Sequence, residues 1–455
     1  MDMKFISTRG GSPKLSFLEA VAEGLAPDGG LYVPENMPCI SDKLDQWEGL
    51  SYADLCFEFL KLFATDIPDE DLRAIVYESY KTFDDAAVAP LTKLDENVYL
   101  LELYHGPTLA FKDFALQFLG NLYEYMLDKS NRKINVLGAT SGDTGSAAIN
   151  GLLGKKNVNI FILYPEGRIS PLQERQMTCT GANNVYPIAI NGTFDDAQAI
   201  VKSLFGDVAF KADWNLSAVN SINLARILAQ CVYYIYAYLK LPKDKRKNVL
   251  FSVPTGNFGN VLAGWLAWKA GLQCAGFKVS TNQNDILYRL FSTGVYKVAE
   301  VLPSHAPSMD IQIASNFERF IYYSENGNSA KVCEIMQGFK KSGEWVFENF
   351  KAEGFTASRM SDEEIPLMIK KVKDSYGVVV DPHTACGFKD LPADKTAVVL
   401  STAHPAKFPK LISDTLGEEP ISPVLESLKS RQIIKTIMAA DVEKVRKFIC
   451  EFGIR

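Results

Sequence analysis

Histidine is scarce in this chain of 455 residues: only four occur, at positions 105, 305, 383 and 404, and no two lie at metal-ligand spacing. A dedicated zinc site is therefore not expected. The eight cysteines are scattered, with no close Cys-x-x-Cys pair, which points to reduced thiols and a cytoplasmic protein rather than a disulfide scaffold. No apolar run approaches the ~18 residues of a membrane span, and residues 1–30 lack the apolar core of a secretory signal. An excess of basic charge is missing too. The 48 Lys and Arg against 54 Asp and Glu leave a net charge of −6, which argues against a nucleic-acid-binding face. Internal repeats and low-complexity linkers are also absent.

What remains is the composition of an ordinary globular protein, 47% hydrophobic and 22% charged, and too long for one small core. The first 95 residues read as a separate, mainly helical unit, with helical patterns over 52–64 and 69–80 and little strand–helix alternation. From position 98 the texture changes. Short β-branched runs ending in Gly or Pro alternate with apolar-periodic helices, which predicts a parallel α/β sheet. Strands are expected at 134–137, 158–163, 185–190, 248–253, 277–280 and 397–400. Helices are expected at 146–153, after a cap at Thr193 or Asp195, at 220–239 with Ser221 or Asn220 as its cap, and at 261–270.

One run stands out: His105-Gly106-Pro107-Thr108-Leu109-Ala110-Phe111-Lys112-Asp113. It sets a single lysine after a Gly-Pro turn and beside an apolar wall. Burial disfavours the charged form of Lys112, and a neutral amine can condense with an aldehyde or move protons. A snorkelling lysine at the start of an amphipathic helix is the competing reading. Two loops raise the first reading above the second. Pro254-Thr255-Gly256-Asn257-Phe258-Gly259-Asn260 joins a strand to a helix, where glycine backbone and free N–H groups can wrap an anion. It has neither the Gly-Lys-Ser/Thr ending of a triphosphate loop nor the Gly-x-Gly-x-x-Gly dinucleotide fingerprint, so a single phosphate fits best. Thr140-Ser141-Gly142-Asp143-Thr144-Gly145 has the same setting and gathers hydroxyls and amides on one rim. It reads equally as a helix cap. Arg226 lies near the start of the 220–239 helix, where the helix dipole disfavours a cation, which hints at an anion nearby. Pairing with an acidic neighbour is the plainer alternative. Ser401-Thr402-Ala403-His404 follows a buried strand, and strand C-terminal ends line the ligand crevice of open parallel sheets.

Taken together, these motifs resemble the threonine synthase family, pyridoxal-phosphate enzymes of the tryptophan-synthase-β fold type. The likeness covers almost the whole chain. Ser7-Thr8-Arg9, residues 16–21, residues 24–32, Leu163-Tyr164-Pro165, residues 169–173 and Asp381-Pro382-His383-Thr384-Ala385 are similar to the longer bacterial and fungal branch. The resemblance implies an α/β fold of type II among pyridoxal-phosphate enzymes, with open parallel sheets and helices on both faces. It also implies an N-terminal domain at 1–95, a large cofactor domain at 96–130 and 215–455, and a small mobile α/β domain at 131–214.

The resemblance further implies that Lys112 carries the Schiff base to pyridoxal 5'-phosphate. Gly256, Asn257, Phe258, Gly259 and Asn260 would hold the cofactor phosphate, and Thr402 would meet the ring nitrogen through a neutral hydroxyl. Thr140, Ser141 and Thr144 would grip substrate oxygens, with Asn220, Ser221 and Arg226 on the substrate side. Asp143 departs from the asparagine of many relatives of the fold type. A carboxylate beside the cofactor's ring phenolate would repel it, so Asp143 is expected either protonated or turned away. The roles of His383 and His404 are left open.

The implied reaction takes O-phospho-L-homoserine and water to L-threonine and phosphate, with Lys112 moving protons. A phospho-lyase stopping at 2-oxobutyrate, and a catalytically silent cofactor-binding partner protein, are the alternatives; a nicotinamide dehydrogenase lacks its glycine fingerprint. No partner beyond the small-molecule substrate is implied, and monomer and homodimer stand equal.

Overall fold

A computed structural model describes residues 2–140, 142–219, 221–348, 350 and 352–455. Ser141 and Asn220, both named above as substrate residues, lie outside the described residues.

Two open sheets organise the chain. The larger has six strands in the order Phe355–Arg359, Gly276–Thr281, Val249–Pro254, Thr396–Ser401, Val98–Glu102 and Leu91–Lys93. All neighbours run parallel except the last pair. The central strands, VLFSVP and TAVVLS, are buried at every position, which is why they read as continuous apolar runs rather than alternating ones. The smaller sheet is wholly parallel, in the order Thr436–Ala439, Val185–Asn191, Val158–Pro165, Ile134–Ala139 and Leu216–Ser217.

Contacts cross the predicted division of the chain in two places. The segment 215–455 does not belong wholly to the large unit. Thr436–Ala439 forms an edge strand of the smaller sheet, and Val445 and Ile449 of the helix Val442–Phe452 are buried in that sheet's own core with Ile188, Ile200 and Leu204. Leu216–Ser217 also pairs with that sheet. The N-terminal region also packs closely on the rest of the chain. Tyr52, Leu55 and Phe59 share one continuous core with Phe114, Tyr233 and Tyr236. Glu318 accepts the Arg9 guanidinium at 2.8 Å, and Arg319 donates to the Tyr32 carbonyl at 2.9 Å. The strand Leu91–Lys93, within the predicted N-terminal unit, closes the edge of the large sheet.

The helix Leu224–Lys240 is the hub. Sixteen of its residues are buried, because LARILAQCVYYIYAYLK is apolar on all faces and is covered on all faces. It packs against Tyr52–Leu60, Lys112–Ser130 and Gly259–Lys269. Its cap is Asn223, whose side-chain oxygen accepts the Ala225 N–H at 3.0 Å. Asn220 and Ser221, expected to cap it, precede the helix. Among the described residues, no helix is long and apolar enough to cross a membrane.

Candidate active site

Three strand ends converge on one cleft of about 2610 Å³. Val249–Pro254 runs into Thr255–Phe258 and then the helix Gly259–Lys269. Ile134–Ala139 runs into the 140–142 loop and the helix Asp143–Leu152, and Thr396–Ser401 runs into Thr402. Lys112 opens the helix Lys112–Ser130 directly against the third of these ends. Phe111 N–H donates to the Thr402 carbonyl at 2.9 Å and His404 N–H to the Leu109 carbonyl at 3.0 Å. Leu109 takes a left-handed φ of 60° to make this crossing, a conformation that costs a branched residue energy. Inside the turn, Asp113 receives the Thr108 N–H at 2.8 Å and its hydroxyl at 2.6 Å. Burial nevertheless pushes the Asp113 carboxyl up to about 6.

The wall around Lys112 is dry, as its sequence suggests: Leu109 and Ala110 are buried, and Lys112 itself is 8% exposed. Burial pushes the Lys112 amine down to about 8, against the pull of Asp143 and with the help of Lys407 and Arg226. Its Nζ donates to Ser308 Oγ at 3.3 Å and lies 3.8 Å from Asp143 Oδ2.

Asp143 lines the cleft, with an ammonium group facing each of its carboxylate oxygens. Burial alone would raise its pKa, but the ammonium groups of Lys407 and Lys112 hold the carboxyl well below the usual carboxylate range. Lys407 Nζ sits 2.8 Å from Oδ1, Gln173 Nε2 donates to the same oxygen at 3.0 Å, and Ser308 Oγ donates to Oδ2 at 3.2 Å.

The 254–260 loop is formed by close approach. A Cβ on Gly256 would stand 2.7 Å from the Ser308 carbonyl oxygen, so only glycine lets these two segments meet. Phe258 takes φ 63°, and its ring is anchored among Phe291, Phe317, Phe320 and Phe355. What Phe258 offers the cleft is its backbone. Asn257 is braced from behind, its carbonyl accepting Asn316 N–H at 3.1 Å and Asn316 Nδ2 at 3.3 Å. The Asn260 side-chain oxygen accepts the Tyr233 and Tyr234 hydroxyls at 2.6 and 2.8 Å. Its Nδ2 is buried with no partner, at the start of a helix whose first N–H groups have none within the helix.

The remaining predicted residues divide. Thr402, Thr144, Ser221 and Arg226 line the cleft. Arg226 is only 4% exposed, and burial pushes it down to about 10, which leaves it a cation at neutral pH. Thr140 also lines the cleft, but its Oγ is spent on the loop itself, accepting Gly142 N–H at 3.0 Å and Gly145 N–H at 2.9 Å and donating to the Gly142 carbonyl at 3.2 Å. Ser221 Oγ bonds Ser315 Oγ at 2.7 Å. His404 does not line the cleft; its ring accepts Ala406 N–H at 3.1 Å and its pKa is lowered, first by burial.

Three contributors carried no assigned role in the sequence reading. Ser308 bridges Lys112 and Asp143. His383 Nε2 accepts the Ser308 N–H at 3.1 Å, while its Nδ1 faces Asp381 at 2.7 Å; this fixes the ring proton on Nδ1. Asp381 also binds Thr384, whose hydroxyl accepts the Thr402 N–H at 3.1 Å. Lys407 is the third. The Asp381-Pro382-His383 motif was visible, but nothing local says that it reaches Ser308.

These residues fit pyridoxal phosphate. A buried amine, a loop closed to any side chain at Gly256, and an unpartnered amide donor at a helix start suit an aldehyde and a single phosphate.

Comparison with known proteins agrees over the full length. Residues 4–80 match the threonine synthase N terminus family, residues 86–401 the pyridoxal-phosphate dependent enzyme family, and residues 383–449 the threonine synthase C-terminal family. The chain is 44% identical to threonine synthase of Pseudomonas aeruginosa, covering 100% of this chain and 99% of the relative. It is similar in structure to a pyridoxal-phosphate-bound threonine synthase from Brucella melitensis, with TM-score 0.96, 41% identity and full coverage of both chains. Threonine synthase from Escherichia coli superposes with TM-score 0.85 at 31% identity, over 99% of this chain and 100% of the other.

Proposed function

The chain belongs to the threonine synthase family, a pyridoxal-phosphate-dependent lineage of fold type II, and on that premise we propose how its own residues divide the work. The enzyme converts O-phospho-L-homoserine and water to L-threonine and phosphate. Bound through Lys112, the cofactor supplies an electron-accepting ring that stabilises negative charge next to the substrate's α-carbon.

Lys112 is the base and acid. Held near neutrality by burial, its amine takes one proton each from the substrate's α- and β-carbons and returns one to the γ-carbon that has lost phosphate and one to the α-carbon. Phosphate leaves from the γ-carbon, and water adds its oxygen at the β-carbon. Arg226, a buried cation at the mouth of the hub helix, stabilises charge on the departing phosphate. Gly256, Asn257, Gly259 and the free Nδ2 of Asn260 hold the cofactor phosphate, Phe258 contributing backbone alone. Thr402 meets the ring nitrogen with a neutral hydroxyl, its own N–H already committed to Thr384. Thr144 and Ser221 face the substrate side, and Thr140 shapes the loop that presents Thr144. The eight scattered thiols, none paired in the structure, support a cytoplasmic location.

The observation that carries this reading is the Lys112 amine, buried and linked through Ser308 to the Gly256 loop. The test is product analysis with O-phospho-L-homoserine. Threonine and phosphate formed one for one support it; 2-oxobutyrate and ammonia in threonine's place would make the chain a phospho-lyase.

A further inference from the structure

We propose that Lys407 is a positioning residue of this active site: its ammonium holds Asp143 as a carboxylate and takes up that charge, so that Asp143 does not pin the Lys112 amine as a cation. The inference rests on the assignment of Lys112 as the cofactor-bearing base.

Lys407 ends the short turn Pro405–Lys407, just beyond Thr402, and its exposure is 0%. A lysine with no access to water requires a partner. It has two: Asp143 Oδ1 at 2.8 Å and the Thr108 carbonyl at 2.7 Å. Asp143 therefore serves two ammonium groups, one on each oxygen, and the reactive one is the more distant, at 3.8 Å from Oδ2. Coulomb attraction falls with separation, and one buried carboxylate cannot neutralise two buried cations. Lys407 is the nearer and better bonded of the two, so the carboxylate's charge is spent chiefly on it rather than on Lys112.

Other charged groups around Lys112 do not change this order. Arg226, from the hub helix, is a second like charge and pushes the Lys112 amine further down. His383, from Pro382–Gly387, is oriented by Asp381 and accepts from Ser308. Asp113, on Lys112's own helix, is committed to Thr108. Asp310 is committed to Ser304, Asn282 and Asn284.

A purely structural role is the rival, because Lys407 also braces the turn that leads to Lys112. The variant Lys407→Gln separates the two: it keeps a donor for Thr108 and Asp143 but drops the charge. The full-length chain, stripped of cofactor, is acetylated competitively from about pH 6 to 10, and Lys112 is followed by peptide mass spectrometry. The wild-type midpoint is expected near pH 8. In Lys407→Gln it should rise by about one to two units, as an opposite charge without its competitor allows. Lys407→Arg should stay close to wild type, and Lys407→Gln with Asp143→Asn should fall back again. Lys407→Met is the second neutral variant should Lys407→Gln not fold by near-ultraviolet circular dichroism. An unmoved midpoint in a folded neutral variant overturns the inference. Borohydride mapping of the loaded enzyme tells the two failures apart: a pyridoxyl group on another lysine removes the base assignment itself, whereas a pyridoxyl group on Lys112 with an unmoved midpoint removes only the role of Lys407.

Discussion

The imidazole of His383 accepts the backbone N–H of Ser308 at 3.1 Å, tying the segment that faces Gly256 to the strand-end network behind Thr402. Both Gly256, which approaches the Ser308 carbonyl closely, and Lys112, which donates to its hydroxyl, depend on where Ser308 stands. His383→Ala removes the acceptor and leaves a buried N–H unsatisfied, a loss of about 1–3 kcal/mol. If all of it falls on the placement of Lys112, kcat/KM should drop by about 5- to 150-fold. Steady-state kinetics checks this; unchanged kinetics in the folded variant would show that His383 serves stability alone.

Arg226 shares the cleft and stays charged. A bidentate, charge-assisted contact to a dianionic phosphate contributes about 2–3 kcal/mol when partly desolvated. Arg226→Ala should therefore lower kcat/KM for O-phospho-L-homoserine by about 30- to 150-fold. Slow turnover of a phosphate-free amino acid such as serine should change far less, and Arg226→Lys should recover only part. Equal losses for both substrates would make Arg226 structural.

Much of this site was legible because its parts are local. Lys112 follows a Gly-Pro turn, and the Gly256 and Gly142 loops each sit between an apolar strand and a helix, so strand-to-loop-to-helix texture sufficed. What was hidden is non-local. Lys407, His383 and Ser308 meet only after the large sheet has brought Thr396–Ser401 beside Val249–Pro254. The C-terminal strand Thr436–Ala439 pairs with Val185–Asn191, a parallel partnership that no short-range pattern announces. The cap of the hub helix was misplaced for a different reason. Asn220, Ser221 and Asn223 are all good caps by type, so residue type alone does not choose among them; in the structure Asn223 caps, next to an Ile222 carbonyl that accepts the Arg319 guanidinium at 2.7 Å.

Asn260 is held by two tyrosines with its amide donor left over. Asn260→Ala should weaken pyridoxal-phosphate binding by about 5- to 150-fold, from the loss of one hydrogen bond to a charged group and the stranding of the Tyr233 hydroxyl, since Tyr234 keeps the Asn260 carbonyl. Asn260→Asp should be worse, because it sets a negative charge against the phosphate. Fluorescence titration of the stripped chain measures both; equal affinity in Asn260→Ala would move the phosphate elsewhere.

Through its burial, Lys112 also costs the cofactor-free chain stability. Its folded value, about 8, is depressed from the ordinary 10.5, so the unfolded chain binds more protons between these values. Stability should rise with pH across that window and fall as pH drops through about 8, a swing on the order of 3 kcal/mol. Lys112→Met should therefore stabilise the cofactor-free chain more at pH 7 than at pH 10.5, when each is compared with wild type in thermal melts. The same difference at both pH values would show that Lys112 is not strained by burial.

The most direct measurement is borohydride reduction of the cofactor-loaded enzyme, followed by peptide mapping and mass spectrometry. The account predicts a single pyridoxyl group, on Lys112, and none in Lys112→Ala, with the visible absorption of the linked cofactor lost in that variant. A pyridoxyl group found on Lys407 or any other lysine of the wild-type chain would contradict it.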